Sequence, residues 1–245
     1  TGSDGKTTST TLTTLFLEAA GKNVYVGGNI GIPLLDKVEE MTKDDYVVLE
    51  LSSFQLMTMK EKIDRAAITN VSPNHLDYHR DYEEYIEAKA NVFKCQDEFG
   101  ILVLNEDNEY TSRYEKQAKG SVRKFSLEKE TGCGVYHKDG KIYSSVGCKT
   151  EEIMDAKDVK LVGMHNVANI CTAASLVIDI VGKEAIASVA KTFTGVEHRM
   201  EPVRELNGVK WYNDSIASSP TRTIAGLKAF EKPIVLIAGG YDKHI

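Results

Sequence analysis

The run Thr1-Gly2-Ser3-Asp4-Gly5-Lys6-Thr7-Thr8 restricts this chain more than any other stretch. Gly2 and Gly5 let the backbone fold tightly and turn its N–H groups inward. A helix expected from Thr7 to about Ala20 aims its positive end at the same point. Free amides and the helix dipole then both favour an anion there. Lys6 adds a formal charge for outer phosphates, and the Thr7 hydroxyl is placed to ligate a magnesium ion. The full pattern G-x-x-x-x-G-K-[ST] asks for a glycine five residues before Gly5 and a strand feeding the loop. The sequence begins short of both. The competing reading is a Gly/Ser/Thr-rich tail, and companions further along weigh against it.

A phosphate loop needs a sheet to hang from, and the sequence offers one. Val24-Tyr25-Val26, Tyr46 to Leu51, Ala66 to Val71 and Gly100 to Leu104 read as strands, the later three buried by their continuous apolar character. Helical stretches fall between them, with Leu12, Leu15, Phe16 and Ala19 on one face of the first, which Gly21 ends. Tyr82 to Phe93, His165 to Val181 and Lys183 to Thr192 follow as helices. Strands alternating with helices predict a mostly parallel sheet covered on both faces, in the manner of phosphate-loop nucleotide-binding proteins. Residues 135–143 read as a hairpin, a small β region on the edge of that sheet. A boundary near Gly195 separates a first domain, 1–195, from a truncated second, 196–245. The second opens with a hairpin turned by Asn207-Gly208, a helix over Thr221 to Phe230 and a strand over Pro233 to Ala238, as the start of a second α/β unit. Both ends look cut, as in part of a longer protein.

Composition excludes whole classes. With 36 acidic and 30 basic residues the net charge is -6, against a general nucleic-acid surface. No apolar run approaches membrane-spanning length, and no signal peptide is visible. The four cysteines form no C-x-x-C pair, and Cys133 with His137 lacks a second pair for zinc, so free thiols in a reducing cytoplasm are expected.

The chemistry-bearing groups sit at strand ends, where open parallel sheets bind ligands. Glu50 ends a buried strand; it is either a partly exposed acid or a magnesium ligand beside the loop hydroxyl. Ser52, Ser53 and Gln55 follow it as short polar groups. Asn74-His75-Leu76-Asp77 follows the next strand, and His75 is either a plain surface residue or a metal ligand through neutral imidazole. Lys89 lies on a helix, where a solvated lysine is the default. Arg199, after His198 at the boundary, can swing onto phosphate or be an ordinary linker residue. Asp214 ends a strand and is either a strand-end polar group or an acceptor for ribose or phosphate-bound groups.

Taken in order, these runs resemble the Mur ligase family, and within it the branch that adds D-glutamate. The matching runs are Gly2 to Thr8, Gly27-Gly28-Asn29-Ile30-Gly31, Leu49 to Leu56, Asn74 to Asp77, Ala88-Lys89, His165-Asn166, His198-Arg199 and Asn213-Asp214-Ser215. Ser52-Ser53-Phe54-Gln55-Leu56 is the most telling. The resemblance implies an ATP-dependent amide ligase that activates UDP-muramoyl-alanine as an acyl phosphate and joins it to D-glutamate. It puts ATP on Gly2, Ser3, Asp4, Gly5, Lys6, Thr7, Thr8, Asn166, Asn169, Arg199 and Asp214. It puts two magnesium ions among Thr7, Glu50, His75 and a carbamylated Lys89. It implies catalytic roles for Lys6, Lys89, His75 and His198, and substrate contacts for Asn29, Ser52, Ser53, Gln55, His198 and Lys243. A cytoplasmic monomer without nucleic-acid or membrane partners is expected. Ile216 departs from the family, where many members carry a lysine. Because flanking domains are absent from the sequence, the chain alone is not expected to turn over. The rival readings are a folylpolyglutamate synthase relative, a nucleotide-binding switch without ligase chemistry, and a small-molecule kinase.

Overall fold

Helix α1 (Lys6–Ala19) springs directly from the glycine loop. The computed structural model describes residues 1–72, 79–217, 220–230 and 232–240. Leu12, Phe16 and Leu17 of α1 are buried, together with Thr8, Ser9, Thr10, Thr13 and Thr14. The inward face is therefore turned from the expected one: Ala19 is exposed and Leu15 half-buried. The hydroxyls make this possible. Thr13 and Thr14 donate to the carbonyls of Ser9 and Thr10, at 2.8 and 3.0 Å, so they enter the core with their polar atoms satisfied. Gly21 closes the helix at φ 73°, with Lys22 N–H on the Leu17 carbonyl and Gly21 N–H on the Glu18 carbonyl.

Strands β1 (Val24–Gly28) and β2 (Tyr46–Glu50) pair in parallel, followed by the short helix α2 (Ser53–Met57). Then come β3 (Arg65–Ile68), α3 (Tyr82–Lys94), β4 (Ile101–Asn105), α4 (Glu109–Ser112), β5 (Ser121–Ser126), β6 (Gly134–Lys138), β7 (Lys141–Ser144) and β8 (Glu151–Asp155). These six strands form one sheet in the order β3-β4-β5-β6-β7-β8. The first four run parallel, and β7 pairs antiparallel with both β6 and β8. The expected α/β architecture is present. The small β region is the antiparallel end of the main sheet itself. Its hairpin turns on Asp139 and Gly140, both at positive φ, which matches the twist of the flanking strands.

Helix α5 (Met164–Thr192) breaks at Gly182, φ 75°, so the two predicted helices are two segments of one element. The hairpin β9 (Glu201–Leu206) and β10 (Val209–Asn213) turns at Asn207-Gly208 as expected, and α6 (Pro220–Lys228) follows. Alternation along β4 shows how the layers form. Val103 faces a core built with α1 and α5, while Leu102 and Leu104 face another built with α3.

Two expectations fail. The 46–51 strand is not buried throughout: Val47 is 48% exposed and Leu49 40%. Among the described residues β2 bonds with no strand but β1, and β3 heads the six-stranded sheet; Thr1 runs beside β3, its N–H group on the Ala67 carbonyl at 2.9 Å and its carbonyl on Thr69 N–H at 3.0 Å. A cleft therefore lies between β2 and β3, lined by Val47, Leu49, Ala66 and Leu176. Residues 233–238 form no strand, and Val235 is 92% exposed. A strand needs a neighbour to take its N–H and C=O groups, and none of the described residues pairs with this segment. Among the described residues no helix is long and apolar enough to cross a membrane.

Candidate nucleotide and metal site

The loop is pinned to the end of β3. Asn70, just past that strand, accepts Ser3 N–H and Asp4 N–H on its side-chain oxygen at 3.1 and 2.8 Å, and Thr69 donates to the Asp4 carbonyl at 2.5 Å. Ser3 is buried, donating its hydroxyl to the Ser72 carbonyl and meeting the Tyr85 hydroxyl at 2.9 Å. Gly2, at φ 149°, leaves no room for a side chain: a Cβ there would meet the Thr69 hydroxyl at 1.8 Å. Gly5, at φ 78°, starts α1 without a side-chain cap and with no acid in the first turn, so the first helical amides stay available. A Cβ at Gly5 would stand 2.3 Å from the Asn169 side-chain oxygen.

Two lysines converge on this loop. Lys6 Nζ donates to the Gly2 and Ser3 carbonyls, both at 3.1 Å, and Lys89 Nζ donates to the same Gly2 carbonyl at 2.9 Å. Lys89 is 1% exposed and lies over the Tyr85 ring at 4.3 Å. It is thus no solvated helix lysine; it shares the inward face of α3 with Tyr85 and Phe93. Burial draws its pKa down to about 7, with Lys6 adding to the fall and Asp4 opposing it. Burial also lowers Lys6, against the pull of Glu50. The Glu50 carboxylate is 3% exposed and accepts from the Thr7 hydroxyl at 2.7 Å and the Asn29 amide at 3.0 Å. Asn29 is held there by its own N–H on the Glu50 carbonyl, 2.7 Å.

On the other side of the loop a second cleft is lined by Asp4, Asn169, His165, Arg199, Asp214, Ile216 and Arg222. Asn169 and Asn166 are buried and bonded to each other at 3.2 Å. Asp214 accepts Met200 N–H. The Arg199 Nε is buried without a partner among the described residues. Burial lowers this guanidinium's pKa, and Arg222 adds to the effect.

The stretch after Glu50 is arranged differently from expectation. Ser52 caps α2, and Gln55 reaches back to accept from Ser52 N–H and Oγ, both at 2.9 Å, as a reciprocal capping box. The spacing S-x-x-Q signals this in the sequence. Ser53 is buried and bonded to His79 Nε2 at 2.9 Å, and His79 stacks on Phe54. His198 meets Asn213 at 2.9 Å, its N–H bonds Glu201, and its side chain is exposed. His75 and Lys243 lie outside the described residues.

A profile of the Mur ligase middle domain matches residues 1–177. The chain belongs to the Mur ligase family. It is 57% identical over its whole length to a UDP-N-acetylmuramoylalanine--D-glutamate ligase of Clostridium novyi (strain NT). It is 54% identical to the protein of the same name from Clostridium perfringens (strain 13 / Type A). In both cases it spans about half the relative's length, 53%. Among solved structures it resembles MurF from Acinetobacter baumannii, TM-score 0.72 at 16% identity, over 93% of this chain and 52% of that one. It also resembles a Thermotoga maritima MurF ligase in complex with ADP, TM-score 0.69 at 20% identity, over 93% and 55%. These likenesses bear on the fold.

For a Mur ligase site, the donors fit a divalent cation. Glu50 is a buried carboxylate with neutral partners and no ion pair among the described residues, next to a hydroxyl; hard cations take such oxygens. The residues that the sequence reading missed are Asn70, Tyr85, His79 and Arg222. Asn70 carries a signal, an amide side chain directly behind a buried strand. Arg222, on α6, carries none.

Proposed function

We propose that this chain is the nucleotide-binding portion of an ATP-dependent ligase that joins D-glutamate to UDP-N-acetylmuramoyl-L-alanine in peptidoglycan precursor synthesis. One observation carries the reading: Lys6 and Lys89 meet on a single carbonyl of the glycine loop while Thr7 and Glu50 meet beside it. A cytoplasmic monomer acting on small molecules is the setting we infer, with residues 1–195 as the ATP-binding domain and 196–245 as the start of the next.

In the proposed reaction the terminal alanine carboxylate of UDP-N-acetylmuramoyl-L-alanine attacks the γ-phosphorus of ATP. The bond to the bridging oxygen breaks, ADP leaves, and an acyl phosphate remains. The neutral D-glutamate amine then attacks the acyl carbon, phosphate departs with the electron pair of the broken C–O bond, and the nitrogen sheds a proton to leave the amide. The first step brings two anions together, so fixed positive charge is the largest contribution expected from the protein. Lys6 and the first amides of α1 supply it at the phosphates. Thr7 and Glu50 would hold magnesium, with His75 and a carbamylated Lys89 completing the set for two ions. Bound there, the metal would neutralise phosphate charge. Asn166, Asn169, Arg199 and Asp214 are assigned to the adenosine and phosphates. Asn29, Ser52, Ser53, Gln55, His198 and Lys243 are assigned to the amino-acid and muramoyl substrates.

A lysine adds CO2 through its neutral form: the nitrogen lone pair bonds the carbon, one C=O pair moves to oxygen, and a proton is lost. A pKa of about 7 leaves much of Lys89 neutral at cellular pH. With 13C-bicarbonate, wild type is expected to give a carbamate NMR signal that Lys89→Met lacks. A protein of the relatives' full length is expected to release phosphate with D-glutamate and not with L-glutamate, and Lys6→Ala is expected to abolish it. Equal use of the two enantiomers would sink the D-glutamate assignment.

A further inference from the structure

Arg222 makes the longest-range contact with the phosphate loop. It sits on α6, and its Nε donates to the Asp4 carboxylate at 2.5 Å. Its Nη2 donates to the Ser3 carbonyl at 3.1 Å. That oxygen is also the acceptor of Lys6 Nζ, at 3.1 Å. A guanidinium and an ammonium thus share one carbonyl oxygen. Two full positive charges so close repel, and the Asp4 carboxylate bonds Arg222 alone of the two. Arg199, with its unpartnered Nε, lines the same cleft. Burial lowers the pKa of both Lys6 and Arg199, and Arg222 adds to each fall. Glu50, Asp4 and Asp214 oppose these cations, and the Arg199 Nε still lacks among the described residues an acceptor, which a phosphate oxygen would supply.

We propose that Arg222 is a phosphate-contacting residue that reads the terminal phosphate of the nucleotide, parked on Asp4 until that phosphate arrives. The inference rests on the reading of the loop as an ATP site. Position supports it. In loops of this type the lysine reaches the β- and γ-phosphates, and Arg222 shares that lysine's acceptor. Chemistry supports it as well. Two of five guanidinium donors are used on Ser3 and Asp4, and a planar fork suits two phosphate oxygens. The Asp4 side chain, partly exposed at 28%, would return to solvent once its partner moves.

The test compares the affinity of the chain for a non-hydrolysable ATP analogue, AMP-PNP, with that for ADP, both with magnesium, by titration calorimetry. Wild type is expected to prefer the triphosphate. Arg222→Gln is expected to lower AMP-PNP affinity roughly tenfold or more, the size of a charge-assisted pair, and to leave ADP within about threefold. Arg222→Lys, which keeps the charge, is expected to retain part of the preference. Asp4→Asn releases the arginine and is expected to keep the preference for the triphosphate. An unchanged AMP-PNP to ADP ratio in Arg222→Gln overturns the proposal. Equal loss of the ratio in Arg222→Gln and Asp4→Asn also overturns it, because the pair would then be a clasp between α6 and the loop. If wild type binds neither nucleotide, the reading of the loop itself falls, and this inference with it.

Discussion

Lys89 shows how a residue can be unfavourable for the fold and useful to the site. Its folded pKa lies near 7, below the ordinary 10.5. Between those values the unfolded chain holds a proton that the folded chain has shed. Stability therefore rises with pH across that window, and the handicap is complete below pH 7. Lys89→Met is expected to stabilise the ligand-free chain by about 1–3 kcal/mol at pH 7 in CO2-free buffer, with the advantage fading toward pH 10.5. The Gly2 carbonyl keeps Lys6 as donor in that variant. Urea melts at several pH values measure this, and an advantage that persists at pH 10.5 would point to packing instead. The loop itself was legible residue by residue, because glycine spacing and a following lysine report backbone geometry directly. Arg222 was not, since nothing local to α6 says that its partner lies at Asp4. Ser52 and Gln55 carry a second signal beside the family resemblance, since S-x-x-Q also spells a helix cap.

Among the elements, α5 ties the sheet together. Asp179 on α5 accepts from Arg65 of β3 at 2.7 and 2.8 Å and from Arg123 of β5 at 2.8 Å. Burial alone would raise its pKa, but the two arginines hold it well below the usual carboxylate range. The stability it confers is present above the unfolded value near 3.8 and is lost as pH falls through the folded value. Asp179→Asn is expected to cost about 1–2 kcal/mol at pH 7 and progressively less below pH 4, by thermal or urea melts. Ser175 of α5 accepts the buried Val135 N–H of β6 at 3.1 Å, and Ser175→Ala is expected to cost about 1–3 kcal/mol by leaving that amide unpaired. These contacts explain why β5 escaped the sequence reading. Ser-Val-Arg-Lys-Phe-Ser looks like a surface strand, yet Arg123 is buried because its charge is matched on another element. Strands β3 and β4 were legible because their apolar runs need no partner to explain them.

For the molecule as a whole, the layered α/β design followed from the alternation of strands and helices, whereas the split into two sheets did not. Nothing in Tyr46 to Glu50 announces that one of its edges meets no strand among the described residues. If the loop binds nucleotide, magnesium and ATP at a hundred times Kd are expected to raise stability by about 2.7 kcal/mol through mass action. Lys6→Ala should remove that gain, which differential scanning fluorimetry reads.

The cleft beside β2 bears on how this chain comes apart. Among the described residues the strand pair β1–β2 is held to the remainder by packing against the α1 core and by the stitch from Thr7 of α1 to Glu50. Amide protons of residues 24–28 and 46–50 should accordingly exchange with deuterium sooner than those of β4 and β5, and a cation gripping that stitch should slow them first.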